Sequence, residues 1–165
     1  MLEAKRQYED EKKLKLMPCI QVKKIATAQE VHGIISYTIQ QNQASDTWVE
    51  ESFLFEITNV GHDIARNVSY YWLDQVNDTV NNRFKYYIES LPIGDRRVAQ
   101  INFRTVPTNC HTTVMLKIMF QDLIGNYYFQ CLKFCFSVFR NKIELDTYAM
   151  KAPQELKEKV RRKDV

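Results

Sequence analysis

Three histidines and four cysteines are the residues of this chain whose types could do metal or nucleophilic chemistry. His32, His62 and His111, taken with Cys19 and Cys110, match no zinc-ligand spacing, and neighbours such as Cys110 and His111 point to opposite faces if they lie on a strand. Cys131 and Cys135 do not form a Cys-x-x-Cys pair. Four residues apart on one strand they sit roughly 13 Å from each other, whereas a disulfide needs Cα atoms within about 7 Å. The cysteines therefore read as reduced, packed thiols.

Nucleophilic catalysis needs a serine or cysteine activated by a neighbouring base. No Gly-x-Ser-x-Gly elbow is present, and Asp63 and Asp122, the carboxylates to set beside His62, sit at glycine-containing turns where aspartate normally serves the backbone. Gly33, Gly61, Gly94 and Gly125 are too far apart to cradle a phosphate. The expectation is a chain with no catalytic residues, no metal site and no cofactor.

Binding chemistry is better represented. Tyr71, Tyr87 and Tyr127 could stack on bases, while Arg96, Arg97, Arg104 and the basic run Arg161-Arg162-Lys163 could meet phosphates. The net charge of +3 is small for a dedicated polyanion binder, and the arginines are interspersed with acids. Nucleic-acid or anionic-surface binding is thus the second reading. Protein interaction is the first, because one face of the last strands carries Met115, Met119, Cys131 and Cys135, more apolar than a free face needs. The partner would be another protein or a second copy.

These residues must be positioned by elements, and the sequence has the composition to build them. The chain has 165 residues, 45% hydrophobic and 26% charged, which suffices for one core without disulfides. Nine Tyr and nine Phe favour half-buried strands. Residues 2 to 16 are charged and free of Gly and Pro, so they predict a helix, with Pro18 ending it. Leu2, Tyr8, Leu14 and Leu16 form no clean apolar stripe, so this helix is expected to be exposed or to lean on a partner.

From Cys19 onward the period changes to two. Strands are expected over Cys19 to Ile25, Gly33 to Gln40, Ser52 to Asn59, Asn67 to Leu73, Phe84 to Glu89, Arg97 to Thr105, Val114 to Gln121 and Tyr127 to Phe139. Polar loops are expected at 40–46 and 74–82. The core is expected along Phe53, Phe55, Ile57, Val68, Tyr70, Trp72, Ile101, Phe103, Leu116, Ile118, Phe120, Phe134 and Phe136. Beyond residue 140 the alternation fades, and Pro153 followed by Gln154-Glu155-Leu156 predicts a C-terminal helix over 153–163. The predicted architecture is one domain over 1–165: a mainly β, antiparallel sandwich of about seven to nine strands over 19–139, flanked by two short helices.

The stretch from Leu54 to Val68, with its Asn59-Val60-Gly61 turn followed by Ala65-Arg66-Asn67, resembles prokaryotic immunoglobulin-like sandwich domains. Leu91-Pro92-Ile93-Gly94 and the hairpin Phe120 to Tyr127 are similar to later turns of those domains, so the resemblance covers roughly residues 52–138. It implies an immunoglobulin-like fold of the kind found in adhesion-related and membrane-tethered domains of uncharacterised bacterial proteins. Such sandwiches serve many functions, so no site residue follows from it. The chain has no apolar run of bilayer-spanning length and no signal-peptide pattern at its start. It is expected to be cytoplasmic, or to be the soluble part of a membrane-tethered protein on the cytoplasmic side.

Overall fold

The computed structural model describes residues 2–39, 47–73, 80–107 and 111–156; for 9–15 and 80–87 the backbone alone is described. One helix, α1 (Leu2–Lys15), precedes ten strands: β1 (Ile20–Ile25), β2 (Gly33–Thr38), β3 (Val49–Asn59), β4 (Ala65–Leu73), β5 (Val80–Leu91), β6 (Arg96–Thr105), β7 (His111–Gln121), β8 (Tyr127–Phe139), β9 (Lys142–Met150) and β10 (Gln154–Glu155). The expected loop at 40–46 and residues 74–79 of the expected loop at 74–82 lie outside the described residues; residues 80–82 of that loop belong to β5 instead. β5 starts at Val80, earlier than the alternation around Phe84 suggested.

The strands form two sheets. The first has the order β1-β3-β6-β2, and the second β10-β8-β7-β4-β5, with β9 also pairing β8. The sheets face each other across one aromatic core, a β-sandwich-like architecture. Phe55 and Phe103 of the first sheet meet Phe134 of the second at centroid distances of 5.5 and 5.7 Å, and Tyr37 lies 4.6 Å from Trp72. Offset and edge-on geometry of this kind adds to the burial of the rings. All thirteen residues expected in the core are buried. Side chains of the two inner faces interdigitate to fill this core.

Three expectations are corrected. The chain does not lose its β pattern after 140. β8 turns into β9 through Arg140 and Asn141, both at positive φ (50° and 59°), the geometry of a two-residue hairpin turn that usually contains glycine. Within β9 the apolar residues change phase, from Ile143 and Leu145 to Tyr148 and Met150. The cause is a bulge: Phe136 pairs Leu145 but Cys135 pairs Thr147, which leaves Asp146 as the extra residue. Ser137 Oγ donates to Asp146 Oδ1 at 2.8 Å and holds it.

The C-terminal helix does not begin at Pro153. Lys151 N donates to Cys131 O, Gln154 and Glu155 pair Phe129 and Tyr128, and Leu156 N donates to Tyr127 O. The segment continues along β8 as an edge strand, the place where a sheet tolerates proline. Leu156 is buried there; residues 157–163 of the expected helix lie outside the described residues. Finally, the sandwich is not wholly antiparallel, because β2 runs parallel to β6. Alternation reports which face a residue occupies and carries no information on strand direction.

Two buried amides tie the layers together. Gln130, 1% exposed, accepts from Ile20 N at 2.8 Å and donates to Ile20 O and Lys151 O, each at 3.0 Å. It therefore satisfies the outer edge of β1 with a side chain from the opposite sheet. Tyr148 OH accepts from Lys24 N at 3.1 Å farther along the same edge. Capping an edge in this way blocks pairing with another chain.

Asn59, fully buried, accepts from Cys19 N (3.3 Å) and Gly61 N (3.1 Å) and donates to Asp63 O (2.8 Å) and Leu91 O (2.9 Å). It fastens the start of β1, the β3–β4 turn and the end of β5. At Gly61 a Cβ would lie 2.3 Å from Cys19 N and 2.5 Å from Met17 O, so only glycine fits. In the adjoining β5–β6 turn, Asp95 N donates to Pro92 O at 3.0 Å with Gly94 at φ 77°.

Candidate interaction surface

The structure uses most of the candidate chemical residues locally. His32 and Val98 exchange two bonds: His32 N donates to Val98 O (2.8 Å), and Val98 N donates to His32 Nδ1 (3.0 Å). His62 N donates to Met17 O. His111 opens β7 opposite Ser137, and Cys110 lies outside the described residues. Among the described residues, no three or more His, Cys, Asp and Glu side chains come together to hold a metal.

Asp63 and Asp122 bind turns. Asp63 accepts from Ile64 N and Leu123 N. Asp122, 5% exposed, accepts from Ile124 N, Asn126 N, Asn126 Nδ2 and Tyr128 OH at 2.8–3.1 Å, which closes the β7–β8 hairpin. Burial first, then the hydrogen bond to the Asp122 carboxylate, pushes the Tyr128 hydroxyl well above the usual tyrosine range.

The tyrosines and arginines considered for nucleic acid lie on different sheets. Tyr71 and Tyr127 occupy the outer face of the β4-β7-β8 sheet, while Arg96 and Arg104 occupy the outer face of the β1-β3-β6-β2 sheet. Each arginine also faces a carboxylate: Arg96 with Glu56 (3.9 Å), Arg97 with Asp95 (3.4 Å) and Arg104 with Glu50 (3.1 Å). Arg161, Arg162, Lys163 and the Tyr87 side chain lie outside the described residues.

The outer face of the second sheet is built from the out-pointing residues of β4, β7, β8 and β9. The register sets Leu73, Met115, Lys133 and Ala149 in one row and Tyr71, Lys117 and Cys131 in the next. Ser69, Met119 and Phe129 form a third, with Gln154 of β10 at its end, and Thr113, Cys135 and Thr147 a fourth. Met115, Met119, Cys131 and Cys135 thus share one face, joined by Phe129 and Tyr71, and all are half-buried. Lys117 Nζ stands 4.6 Å over the Phe129 ring, and Lys133 is exposed. Among the described residues, two lysines and no carboxylate occupy the three rows through Met115, Lys117 and Met119, so this part of the apolar surface carries positive charge.

The thiols differ. Hydrogen bonds from Thr147 and Thr113, the latter 3.7 Å from the sulfur, hold the Cys135 thiol below its ordinary range, with Lys133 adding to the effect. Burial pushes the Cys19 thiol up. Helix α1 leaves apolar groups in solvent: Leu2 and Tyr8 are 88% and 67% exposed, and Leu16 just after it is 59% exposed.

Alternation alone groups the two methionines with the two cysteines. Phe129 and Tyr71 join them only through the register, and Gln130 and Asn59 were missed although each is a polar residue in the inward phase of its strand. No protein-family model, curated protein or solved structure matches the chain. No helix among the described residues is long and apolar enough to cross a membrane.

Proposed function

We propose that the chain is a non-catalytic protein-interaction module, and that its docking surface is the outer face formed by β4, β7 and β8. The observation that carries this reading is the composition of that face. Met115, Met119, Phe129 and Cys131 form an adaptable apolar centre, and among the described residues Lys117 and Lys133 supply the formal charges in those rows. Charge complementarity then specifies the occupant: an apolar protein segment bearing carboxylates, rather than a second copy presenting the same lysines. Selection from a displayed peptide library tests it. Acidic, apolar sequences should be enriched on the native protein and lost on Met119→Glu; identical enrichment on both proteins would contradict it.

We read the fold as immunoglobulin-like. β3 pairs β6 in one sheet, and the other runs β5-β4-β7-β8, the arrangement of strands B and E against C′, C, F and G in variable-type domains. Trp72 then sits buried on the strand equivalent to C, where that fold places a tryptophan. Two differences stand beside this: β2, parallel to β6, occupies the position of strand D, and β3 and β7 contain no cysteine. In this reading α1, charged and exposed, is a spacer of the kind that holds such a module away from a membrane.

A second reading has one observation in its favour. Tyr71 and Phe129 lie beside Lys117 and Lys133, the pairing of ring and cation that single-stranded nucleic acid uses. It requires binding that weakens steeply with salt. An oligonucleotide titration showing no binding at low salt would remove it.

A further inference from the structure

The end of the sandwich that α1 joins is apolar at its tips. Asn59 accepts from Cys19 N and donates to Leu91 O, and Gly94 N donates to Asn59 O at 2.8 Å. These bonds bring together the α1–β1 junction, the β3–β4 turn and the β5–β6 turn. Asp63 Oδ2 accepts from Leu123 N at 3.2 Å, which adds the β7–β8 hairpin to the same end. At the tips stand Ile93, Leu123 and Ile124, which are 58%, 60% and 84% exposed, and Val60 and Leu16 in the adjoining segments are exposed as well. Single exposed aliphatic residues are ordinary on a protein surface. Several on adjoining segments form a patch of the kind that marks a contact site.

The turns themselves do not require these residues. Gly125 N donates to Asp122 O at 3.2 Å, so Leu123 and Ile124 are the two central residues of a tight turn. Ile93 is the first central residue of the turn closed from Asp95 N to Pro92 O at 3.0 Å. Such positions ordinarily hold Gly, Pro, Asn, Asp or Ser. Asp122 fixes the hairpin through Ile124 N, Asn126 N, Asn126 Nδ2 and Tyr128 OH, so Leu123 and Ile124 are held on a firmly bonded support.

Shape and charge decide what they meet. Side chains on the tips of separate turns are convex points. A protein partner would need a matching pit for each, whereas the interface of a bilayer yields to all of them at once. The carboxylates in these turns are occupied: Asp63 and Asp122 accept backbone N–H groups, and Asp95 lies 3.4 Å from Arg97. Arg66 and Arg96 are exposed near the tips, with Glu89 and Glu155 farther back along β5 and β10. Basic chain flanks this end on both sides. α1 runs into it through Lys12-Lys13-Leu14-Lys15. Leu156, whose N–H donates to Tyr127 O at 2.9 Å beside the hairpin, leads into Lys157-Glu158-Lys159-Val160-Arg161-Arg162-Lys163. Anionic lipid headgroups attract basic runs of this kind.

We infer that this end of the sandwich seats on a bilayer containing anionic lipid: Ile93, Leu123 and Ile124 enter its apolar boundary, and the flanking lysines and arginines meet the headgroups. Apolar insertion and basic residues are each weak signals that together hold a protein at a membrane surface. The contact is distinct from the docking surface on the β4-β7-β8 face and does not rest on the spacer role of α1. A tip seated in this way leaves that face open to its protein partner.

The test is flotation of the intact chain with phosphatidylcholine vesicles, with and without phosphatidylserine, together with the emission of Ile124→Trp. The native tryptophans serve as controls: Trp72 is fully buried, and Trp48 lies just before Val49, at the far end of β3 from Asn59. The expected result is recovery with the phosphatidylserine vesicles, a blue shift of the Ile124→Trp emission on adding them, and no shift in the native protein. Leu123→Ser with Ile124→Ser should weaken binding by at least about 10-fold at an unchanged urea midpoint, because serine suits both turn positions. No recovery with either vesicle, or an unshifted Ile124→Trp emission, would overturn the inference. So would full binding by the double serine variant, the mark of a contact made by the basic chain alone, or recovery that is indifferent to phosphatidylserine.

Discussion

Replacing Asn59 with alanine removes four hydrogen bonds at one buried point: two accepted from Cys19 N and Gly61 N, and two donated to Asp63 O and Leu91 O. A net contribution of about 0.5–1.5 kcal/mol for each bond gives a range of about 2–6 kcal/mol. Cys19 is half-buried, so water can reach its amide after the substitution. Leu91 is wholly buried, and its carbonyl keeps the full desolvation penalty. A loss of about 3 kcal/mol follows. Domains are usually stable by about 5–15 kcal/mol, so the variant should fold but unfold earlier. With a urea slope of about 2 kcal/mol/M the midpoint should fall by about 1.5 M at unchanged slope.

The assay is equilibrium urea unfolding followed by Trp72 emission, with Gln21→Ala, an exposed strand position, as the control expected to stay within about 0.5 kcal/mol. Gly61→Ala should be at least as damaging, because its Cβ would meet backbone atoms at 2.3 and 2.5 Å. The two substitutions disrupt the same fastening, so the double variant should lose less than the sum of the single losses. A cost below about 1 kcal/mol for Asn59→Ala, or strict additivity with Gly61→Ala, would refute the reasoning.

Other expectations follow from the same structure. Gln130→Met should cost about 2–3 kcal/mol and should speed hydrogen exchange at the Ile20 amide far more than at Val114 in the centre of the sheet. Tyr128 keeps its proton in the folded state above the pH, about 10, at which an unfolded tyrosine loses it. The unfolded state then binds fewer protons than the folded one, so native stability should fall as pH rises beyond about 10; Tyr128→Phe should lessen that slope, as read from urea midpoints against pH. Iodoacetamide should label Cys135 ahead of Cys19 near neutral pH, and Thr147→Val should narrow the difference, as read by peptide mass mapping. Equal labelling rates would count against the hydrogen-bonded, more acidic Cys135 thiol.

The sequence was most readable where one strand face is wholly apolar. Phe53-Phe55-Ile57 and Leu116-Ile118-Phe120 could be placed inward from period two alone, because a one-residue slip would expose every one of them. Reading failed where a local device interrupts the period. The Asp146 bulge moves the inward phase of β9 from odd to even positions, and its entry turn uses Arg140 and Asn141 instead of glycine. Pro153 looked like a helix start because its fixed φ suits both a first helical turn and an edge strand. The direction of β2 depends on packing across the sandwich, which no local pattern records. For the surface, alternation grouped Met115, Met119, Cys131 and Cys135, but only the register brings Tyr71 and Phe129 beside them.

The docking surface can be tested with methyl-labelled methionine NMR, since Met115 and Met119 lie on it and Met17 is buried elsewhere in the core. The probe is an amphipathic peptide whose apolar face is flanked by glutamates, compared with a twin carrying lysines in their place. The account predicts that the acidic peptide shifts the Met115 and Met119 methyl signals and leaves Met17 unmoved, that the lysine twin moves none of the three, and that Lys117→Glu with Lys133→Glu reverses the preference. Unmoved Met115 and Met119 signals, or equal shifts with both peptides, would contradict it.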